Sequence, residues 1–181
     1  ADTSTPEDSE RLLALMKRQL PQLAARLSQT VDKLKQPAEM DTAHLPAQAW
    51  WAALQARYEH DDVQFFAGTV DATPLPQDLF DSVADNLLTN ALRKRQREAG
   101  VAVEVRLEVH PLVSLTVTDS GTPAPEHVAR NLFLSPVASD FGLGVGLYQA
   151  ARQAARSGYR LELPDNEAGR VMFRLQATAS S

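Results

Sequence analysis

The sequence is defined first by what it lacks. None of the 181 residues is cysteine, which excludes disulfide bonds and thiolate metal sites and fits a cytoplasmic chain. No apolar run approaches the roughly 18 residues that a membrane-spanning helix requires, and no signal peptide is recognisable. Acidic residues outnumber basic ones, and the net charge of −5 argues against a nucleic-acid-binding protein held by phosphate contacts.

The length and the apolar content suggest one full domain with an appended element. Hydrophobic residues make up 44% of the chain, which is enough to build a core. Residues 1–9 are polar and are predicted to form a disordered tail. Residues 10–36 carry a heptad-like apolar stripe that predicts a long helix with a break near Pro21. Such a helix cannot bury its stripe alone, so we expect a partner helix from another chain or another segment.

The spacing of apolar residues in the segment 42–177 predicts a domain of the α+β class. Alternation over residues 101–109 and 112–118 predicts an antiparallel hairpin, and a second hairpin is predicted around residues 164–169. Because antiparallel strands are grouped with helices, we expect a two-layer α/β sandwich with a mostly antiparallel sheet. The predicted helices are Pro46–Tyr58, Gln77–Glu98, residues 125–132 and Val145–Ser157, and a further strand is predicted over Val63–Val70.

Two asparagines on the second predicted helix are candidate metal ligands. Asn86 and Asn90 are four residues apart, so they share one face, whereas Leu87 and Leu88 point into the core. An amide oxygen is a neutral, hard ligand of the kind that Mg²⁺ accepts beside waters and substrate phosphates. The plainer alternative is that each asparagine hydrogen-bonds a neighbouring backbone group.

An aspartate at the end of a predicted strand is a candidate for reading a nucleobase. Asp119 follows the strand 114–118 and could accept a hydrogen bond from the exocyclic amine of adenine. Gly121 would let the backbone approach a flat base closely. The plainer alternative is an Asx turn after a strand, which is common.

Three glycines alternate directly before the last predicted helix. Gly142, Gly144 and Gly146 leave backbone N–H groups open, and the start of a helix favours anions, so this segment suits the phosphates of a nucleotide. A flexible linker is the alternative, but an amphipathic helix follows at once. This is the most specific of the three segments.

Taken together, about residues 45–175 resemble the catalytic ATP-binding domain of sensor histidine kinases, the Bergerat fold. By resemblance, Asn86–Arg93 is the N box, Asp119–Gly121 the G1 box, Leu132–Pro136 the F box and Gly142–Leu147 the G2 box. The resemblance implies ATP and Mg²⁺ as cofactors, with the metal held by the two asparagines. The implied ATP-binding residues are Asn86, Asn90, Arg93, Asp119, Gly121, Gly142, Leu143, Gly144, Val145, Gly146 and Leu147.

The same resemblance implies a reaction and its partners. Gyrase-type relatives carry a glutamate base at the position of Asn86, and an amide cannot act as a general base. Phosphoryl transfer to a side chain is therefore favoured over hydrolysis. The resemblance implies a histidine as the acceptor and Asn86, Asn90 and Arg93 as catalytic residues. A response regulator would be the partner, residues 10–36 would form a homodimer, and the chain would be cytoplasmic or the cytoplasmic part of a membrane-anchored sensor, without direct membrane or nucleic-acid contact.

The remaining singled-out residues receive plainer predictions. None of the four histidines has the context of the family's phosphoacceptor, so all are expected to be surface or loop residues. The acceptor helix is expected either to lie outside this chain or to be lacking in the full protein. Lys94, Arg95 and Arg97 are expected to form a solvated helix end, where cations suit the helix dipole. Trp50 and Trp51 are expected to pack in the core.

Three positions depart from the family pattern, one of which is Val137 in place of the second aromatic residue of the F box. Pro123 stands where the G1 box has a second glycine, and Lys94 stands where an aromatic residue covers the adenine; the segment between Phe133 and Gly142 is also short. Two alternatives therefore stay open. One is a degenerate domain that scaffolds or regulates a partner without using ATP, and the other is a serine kinase of the anti-sigma type, although the heptad helix argues against it.

Overall fold

The computed structural model describes residues 43–135 and 144–178. The predicted tail and the long helix at residues 10–36 lie outside the described residues, as does Pro136 of the F box. The elements follow in the order β1 (His44–Pro46), α1 (Ala47–Arg57), β2 (Gln64–Ala67), β3 (Pro74–Pro76), α2 (Gln77–Arg97), β4 (Val103–Glu108), β5 (Ser114–Asp119), α3 (Glu126–Ala129), α4 (Gly144–Arg156), β6 (Tyr159–Glu167) and β7 (Arg170–Ala177).

A five-stranded sheet forms one layer of the domain. Its strand order is β2-β4-β5-β7-β6, and every pair is antiparallel except β2 and β4, which run parallel. Residues of β4 alternate between buried and exposed, because one face of the sheet meets the helices and the other meets solvent. The predicted α+β class and the predicted two-layer sandwich are confirmed.

Helices α2 and α4 cover the inner face of the sheet. Leu87 and Leu88 of α2 are buried in the core, as predicted, and Ala150 and Ala154 of α4 are buried beside them. Small alanines on α4 allow it to pack closely against α2 and β6, which are the two elements it contacts most. This packing fixes the start of α4 next to the asparagines of α2.

Aromatic rings join the first helix to the core. Trp50 and Phe80 pack edge to face with their centroids 5.2 Å apart, and Phe80 meets Tyr159 in the same way at 5.4 Å. The Trp50 indole N–H donates a 3.0 Å hydrogen bond to Asp81, so its polar end is satisfied. Trp51 is also buried, which confirms the prediction that both tryptophans serve packing.

Several element boundaries differ from those predicted. No strand is predicted from the sequence directly before α2, but Pro74–Pro76 pairs with His44–Pro46 in a small two-stranded sheet. Strand β6 continues to Glu167 instead of ending at Leu163, because an irregularity between Glu162 and Asp165 accommodates Pro164 without ending the pairing. The turn that follows contains Gly169 with a φ of +84°, which glycine adopts without strain.

Candidate functional site

Helix α2 carries the first part of the site. Its first turn contains Asp78 and its last turn contains three basic residues, an arrangement that complements the helix dipole at both ends. The Asn86 side chain donates from Nδ2 to the Ser82 carbonyl at 2.7 Å, one turn earlier. This bond orients the amide, so its oxygen faces away from the helix backbone and is available to another group.

The Asn86 oxygen meets the first turn of α4. A Cβ added at Gly146 would overlap with Asn86 Oδ1, so only glycine allows this approach. Two segments that lie 60 residues apart in the sequence are thereby brought into direct contact. The hydrogen-bonding alternative for Asn86 is also realised, since the same amide bonds its own helix through Nδ2.

The remaining residues of the glycine segment differ in their placement. Gly144 and Val145 belong to the first turn of α4, so this helix begins within the glycine segment rather than after it. Leu147 is 1% exposed, and its side chain belongs to the hydrophobic core rather than to a ligand surface. Gly142 and Leu143 lie outside the described residues.

A cavity of about 160 Å³ opens between α2, the end of β5 and the segment that follows it. Three of the predicted site residues, Asn90, Arg93 and Asp119, line this cavity together. Its walls are otherwise largely apolar, as expected for a pocket that holds a flat base. The apolar lining includes Leu87, Ala91, Val117, Pro123, Ala124, Pro125, Val128, Val171 and Phe173.

Asp119 lies at the end of β5 and is 5% exposed. Its Oδ1 accepts a 3.0 Å hydrogen bond from the Gly121 backbone N–H, which is the Asx-type turn considered as an alternative. Oδ1 also accepts a 2.7 Å bond from the Lys94 ammonium. A buried carboxylate that is paired in this way avoids the cost of an isolated buried charge.

The basic end of α2 is not the solvated cluster that was predicted. Lys94 turns toward the cavity and bonds Asp119, because the end of α2 lies directly above the end of β5. Arg95 donates to the backbone carbonyls of Asp61 and Asp62 in the loop after α1. Arg97 lines the cavity and is exposed. The prediction of a solvated helix end is therefore wrong for Lys94 and Arg95, and it is confirmed for Arg97.

Glu98 fastens the end of α2 to the segment after β5. Its carboxylate accepts two bonds from Thr122, one from the backbone N–H at 2.9 Å and one from the hydroxyl at 2.6 Å. These bonds, helped by the nearby Lys94 ammonium, hold the pKa of Glu98 below its usual value. Sequence reasoning missed this contact, because nothing in the local pattern links a helix end to a turn 24 residues later.

Asn166 supports the same segment from the opposite side. Its amide makes a reciprocal pair with the Ala124 backbone, donating to the carbonyl at 2.9 Å and accepting from the N–H at 2.8 Å. The Gly169 N–H adds a 3.1 Å bond to the Gly121 carbonyl. The β6–β7 hairpin therefore holds the wall of the cavity, a role that the sequence did not indicate.

Replacing Asn166 by alanine is expected to destabilise the domain by about 1–3 kcal/mol, since two backbone groups of Ala124 lose their partner. Urea unfolding followed by circular dichroism would measure the loss. Asn131→Ala is the matched control, because Asn131 is exposed and makes one bond to the His127 carbonyl at the end of α3. Equal stability of the Asn166 variant and this control would contradict the role assigned to Asn166.

Other predicted features have simple placements. The four histidines, His44, His60, His110 and His127, are all exposed, as predicted. In the F box, Leu132 is fully buried and the Phe133 ring meets Phe173 with centroids 6.5 Å apart. Across residues 43–135 and 144–178, no group of three or more histidine, cysteine or acidic side chains could hold a metal ion.

No helix that the structure describes combines the length and the apolar character needed to cross a bilayer.

A sandwich of this topology, with two asparagines on one helix, a buried aspartate at a strand end and a glycine segment that opens the last helix, is that of an ATPase-type domain. The chain belongs to the family of histidine kinase-, DNA gyrase B- and HSP90-like ATPases, whose model matches residues 76–179. The family resemblance seen in the sequence is confirmed. No curated protein sequence matches this chain significantly.

Solved structures share the fold. The catalytic domain of the histidine kinase ThkA, in a nucleotide-free form, aligns with a TM-score of 0.60 at 19% identity, over 76% of this chain and 97% of that domain. The Acinetobacter baumannii histidine kinase AdeS aligns with a TM-score of 0.64 at 15% identity, over 99% of this chain and 88% of its own. The mycobacterial sensor histidine kinase MprB aligns at 0.56 and 19% identity, over 75% and 96%. The predicted histidine kinase ATPase fold is thus confirmed.

Proposed function

We propose that this chain is the ATP-binding catalytic domain of a two-component sensor histidine kinase, and that it passes the ATP γ-phosphate to a histidine outside these 181 residues. The observation that carries the proposal is the shared cavity of Asn90, Arg93 and Asp119. It combines an amide, a cation and a buried carboxylate at one mouth. These groups can bind a metal ion, a phosphate group and a nucleobase, respectively.

Magnesium fits the donor set of this site. Asn86 presents an oriented amide oxygen, and Asn90 follows one turn later on the same helix and lines the cavity. These two residues would hold the metal in company with phosphate oxygens and water. The ion would supply positive charge that neutralises the phosphate chain during transfer.

The protein's own groups would bind and orient the nucleotide. Arg93 is exposed at the rim of the cavity, where a guanidinium can pair with phosphate oxygens. The first turn of α4 presents backbone N–H groups that favour an anion. Asp119 is more buried than Asn90 and Arg93, and it would accept a hydrogen bond from the nucleobase. Since Asn86 and Asn90 cannot take a proton from water, transfer to a side chain is favoured over hydrolysis.

The wider signalling role is part of the same proposal. A response regulator would receive the phosphoryl group, and residues 10–36 would supply the dimer contact. One structure similar to this chain at a TM-score of 0.64 is that of ThkA in complex with the response regulator protein TrrA, which supports this class of partner. The proposed place of action is the cytoplasm, with no nucleic-acid or direct membrane contact.

A second candidate is a binding module that does not use ATP. The observation that favours it is the bond from Lys94 to Asp119, because the carboxylate that would read the base already has an internal partner. Pro123, which gives no backbone N–H, lines the same cavity. Nucleotide binding separates the two candidates directly.

The first experiment is calorimetric binding of a non-hydrolysable ATP analogue with and without Mg²⁺. We expect the affinity for the analogue to increase with Mg²⁺. We expect it to fall at least about tenfold in Asn90→Ala, because losing one hydrogen bond or ligand contact to a charged group has an effect of this size. Thr89→Ala is the control, because Thr89 is the neighbouring exposed residue on α2. No binding by the unmutated chain at millimolar nucleotide would select the binding module.

A further inference from the structure

Lys94 occupies an unusual place for a lysine. Its side chain is 20% exposed, and its ammonium lies 2.7 Å from Asp119 Oδ1 and 2.8 Å from the Thr122 carbonyl. The stem crosses Gly121 so closely that a Cβ there would overlap with Lys94 Cδ. The lysine is therefore built into the wall of the cavity and is not a side chain that swings freely in solvent.

The pair of Lys94 and Asp119 presents two kinds of group to the cavity. An ammonium has three donors, and two of them are used by Asp119 and the Thr122 carbonyl. Within the described residues, both hydrogen bonds that the Asp119 carboxylate accepts end on Oδ1. One lysine donor and the carboxylate Oδ2 are thus left side by side for a ligand.

We propose that Lys94 is a specificity-determining residue that lets this pocket accept guanine nucleotides as well as adenine nucleotides. The inference rests on the proposed function, because it concerns the base held in the same cavity. The site it assigns consists of Lys94 and Asp119, with Thr122 as the backbone anchor.

The chemistry of the two bases supports this assignment. A bare carboxylate accepts from the adenine amino group but repels the O6 of guanine, which carries lone pairs. Lysine is a common partner of guanine O6. With the ammonium in place, O6 can accept from Lys94 while the adjacent N1–H donates to Asp119. Adenine also fits when the base shifts by one position along this pair, because its amino group can then donate to Asp119 while its N7 accepts from Lys94.

Charge and burial determine the size of the effect. Asp119 is nearly enclosed, so contacts made there are weakly screened by solvent. Lys94 neutralises the carboxylate and replaces a repulsive contact with a charged hydrogen bond for guanine. We expect the dissociation constants of the GTP and ATP analogues to lie within about tenfold of each other in the unmutated chain.

Calorimetry with non-hydrolysable ATP and GTP analogues tests the proposal on the unmutated chain and on Lys94→Met, which keeps the stem and removes the charge. The variant is expected to widen the preference for the ATP analogue at least about tenfold. Lys94→Arg, which keeps a cation, should retain part of the guanine binding. Arg106→Met is the control, because this substitution removes the same charge from a residue on the opposite face of the sheet.

The outcomes separate the two proposals. The proposal for Lys94 is overturned if the unmutated chain binds the ATP analogue but rejects the GTP analogue. It is also overturned if Lys94→Met leaves the ratio of the two affinities unchanged. In both cases the proposed function stands. If neither analogue binds, both proposals fall. Thermal unfolding of each variant would show whether it remains folded. A change in the ratio of the two affinities can then be distinguished from unfolding of the domain.

Discussion

Replacing Gly146 by alanine is expected to weaken binding of the Mg-nucleotide analogue at least about tenfold while leaving the domain as stable as before or slightly more stable. The added methyl group would overlap with the Asn86 amide oxygen, so that amide must rotate away from its present position. Alanine also favours a helix by about 1 kcal/mol over glycine, and Gly146 belongs to α4. Nucleotide binding should therefore weaken without a loss of domain stability.

Gly68→Ala is the matched control for this experiment. Gly68 follows β2, has open space where a Cβ would stand, and does not have a positive φ. Calorimetry and thermal unfolding on both variants give the comparison. Unchanged nucleotide affinity in Gly146→Ala would show that the Asn86 oxygen has no part in binding, and the magnesium assignment would then be withdrawn.

The second large effect concerns stability. Phe80→Ala is expected to cost about 3–5 kcal/mol of the free energy of unfolding, the usual range for removing a fully buried aromatic side chain. Phe80 is 0% exposed and lies between the Trp50 and Tyr159 rings, so its loss opens a cavity that joins α1, α2 and β6. Urea unfolding monitored by tryptophan fluorescence would measure the change.

Phe66→Ala is the corresponding control. Phe66 is 39% exposed and meets solvent and the Arg106 guanidinium rather than the core. Phe66→Ala should lower the free energy of unfolding by no more than about 1 kcal/mol, as substitutions of exposed residues usually do. If the two variants lose similar stability, the core assigned to the helix-facing side of the sheet is wrong.

Elements with a clear period were predictable from the sequence. The alternation at residues 101–109 and 112–118 gave the β4–β5 hairpin, and the apolar stripe of residues 77–98 gave α2 almost to the residue. Strands β1 and β3 were not predicted, because three residues rich in proline carry no period. Their pairing exists only through tertiary contact between distant segments.

The same distinction applies to the candidate site. The asparagines, Asp119 and the glycine segment could be found because each lies in a short local motif. The bonds that Lys94, Glu98 and Asn166 make could not, since they depend on which helix end meets which turn. A lysine at the end of a helix is already accounted for by the helix dipole. For this reason the sequence did not indicate that Lys94 contacts Asp119.

The parallel pairing of β2 has a consequence for the order in which the domain assembles. The β4–β5 and β6–β7 pairs are closed by short turns, whereas β2 pairs Gln64 with Glu104 across a long loop that includes all of α2. Closing this loop costs more chain entropy than closing either hairpin, so β2 docks after the β4–β5 and β6–β7 hairpins have formed. Because β2 lies at the edge of the sheet and contributes nothing to the cavity wall, local opening of the β2–β4 pairing leaves the pocket intact.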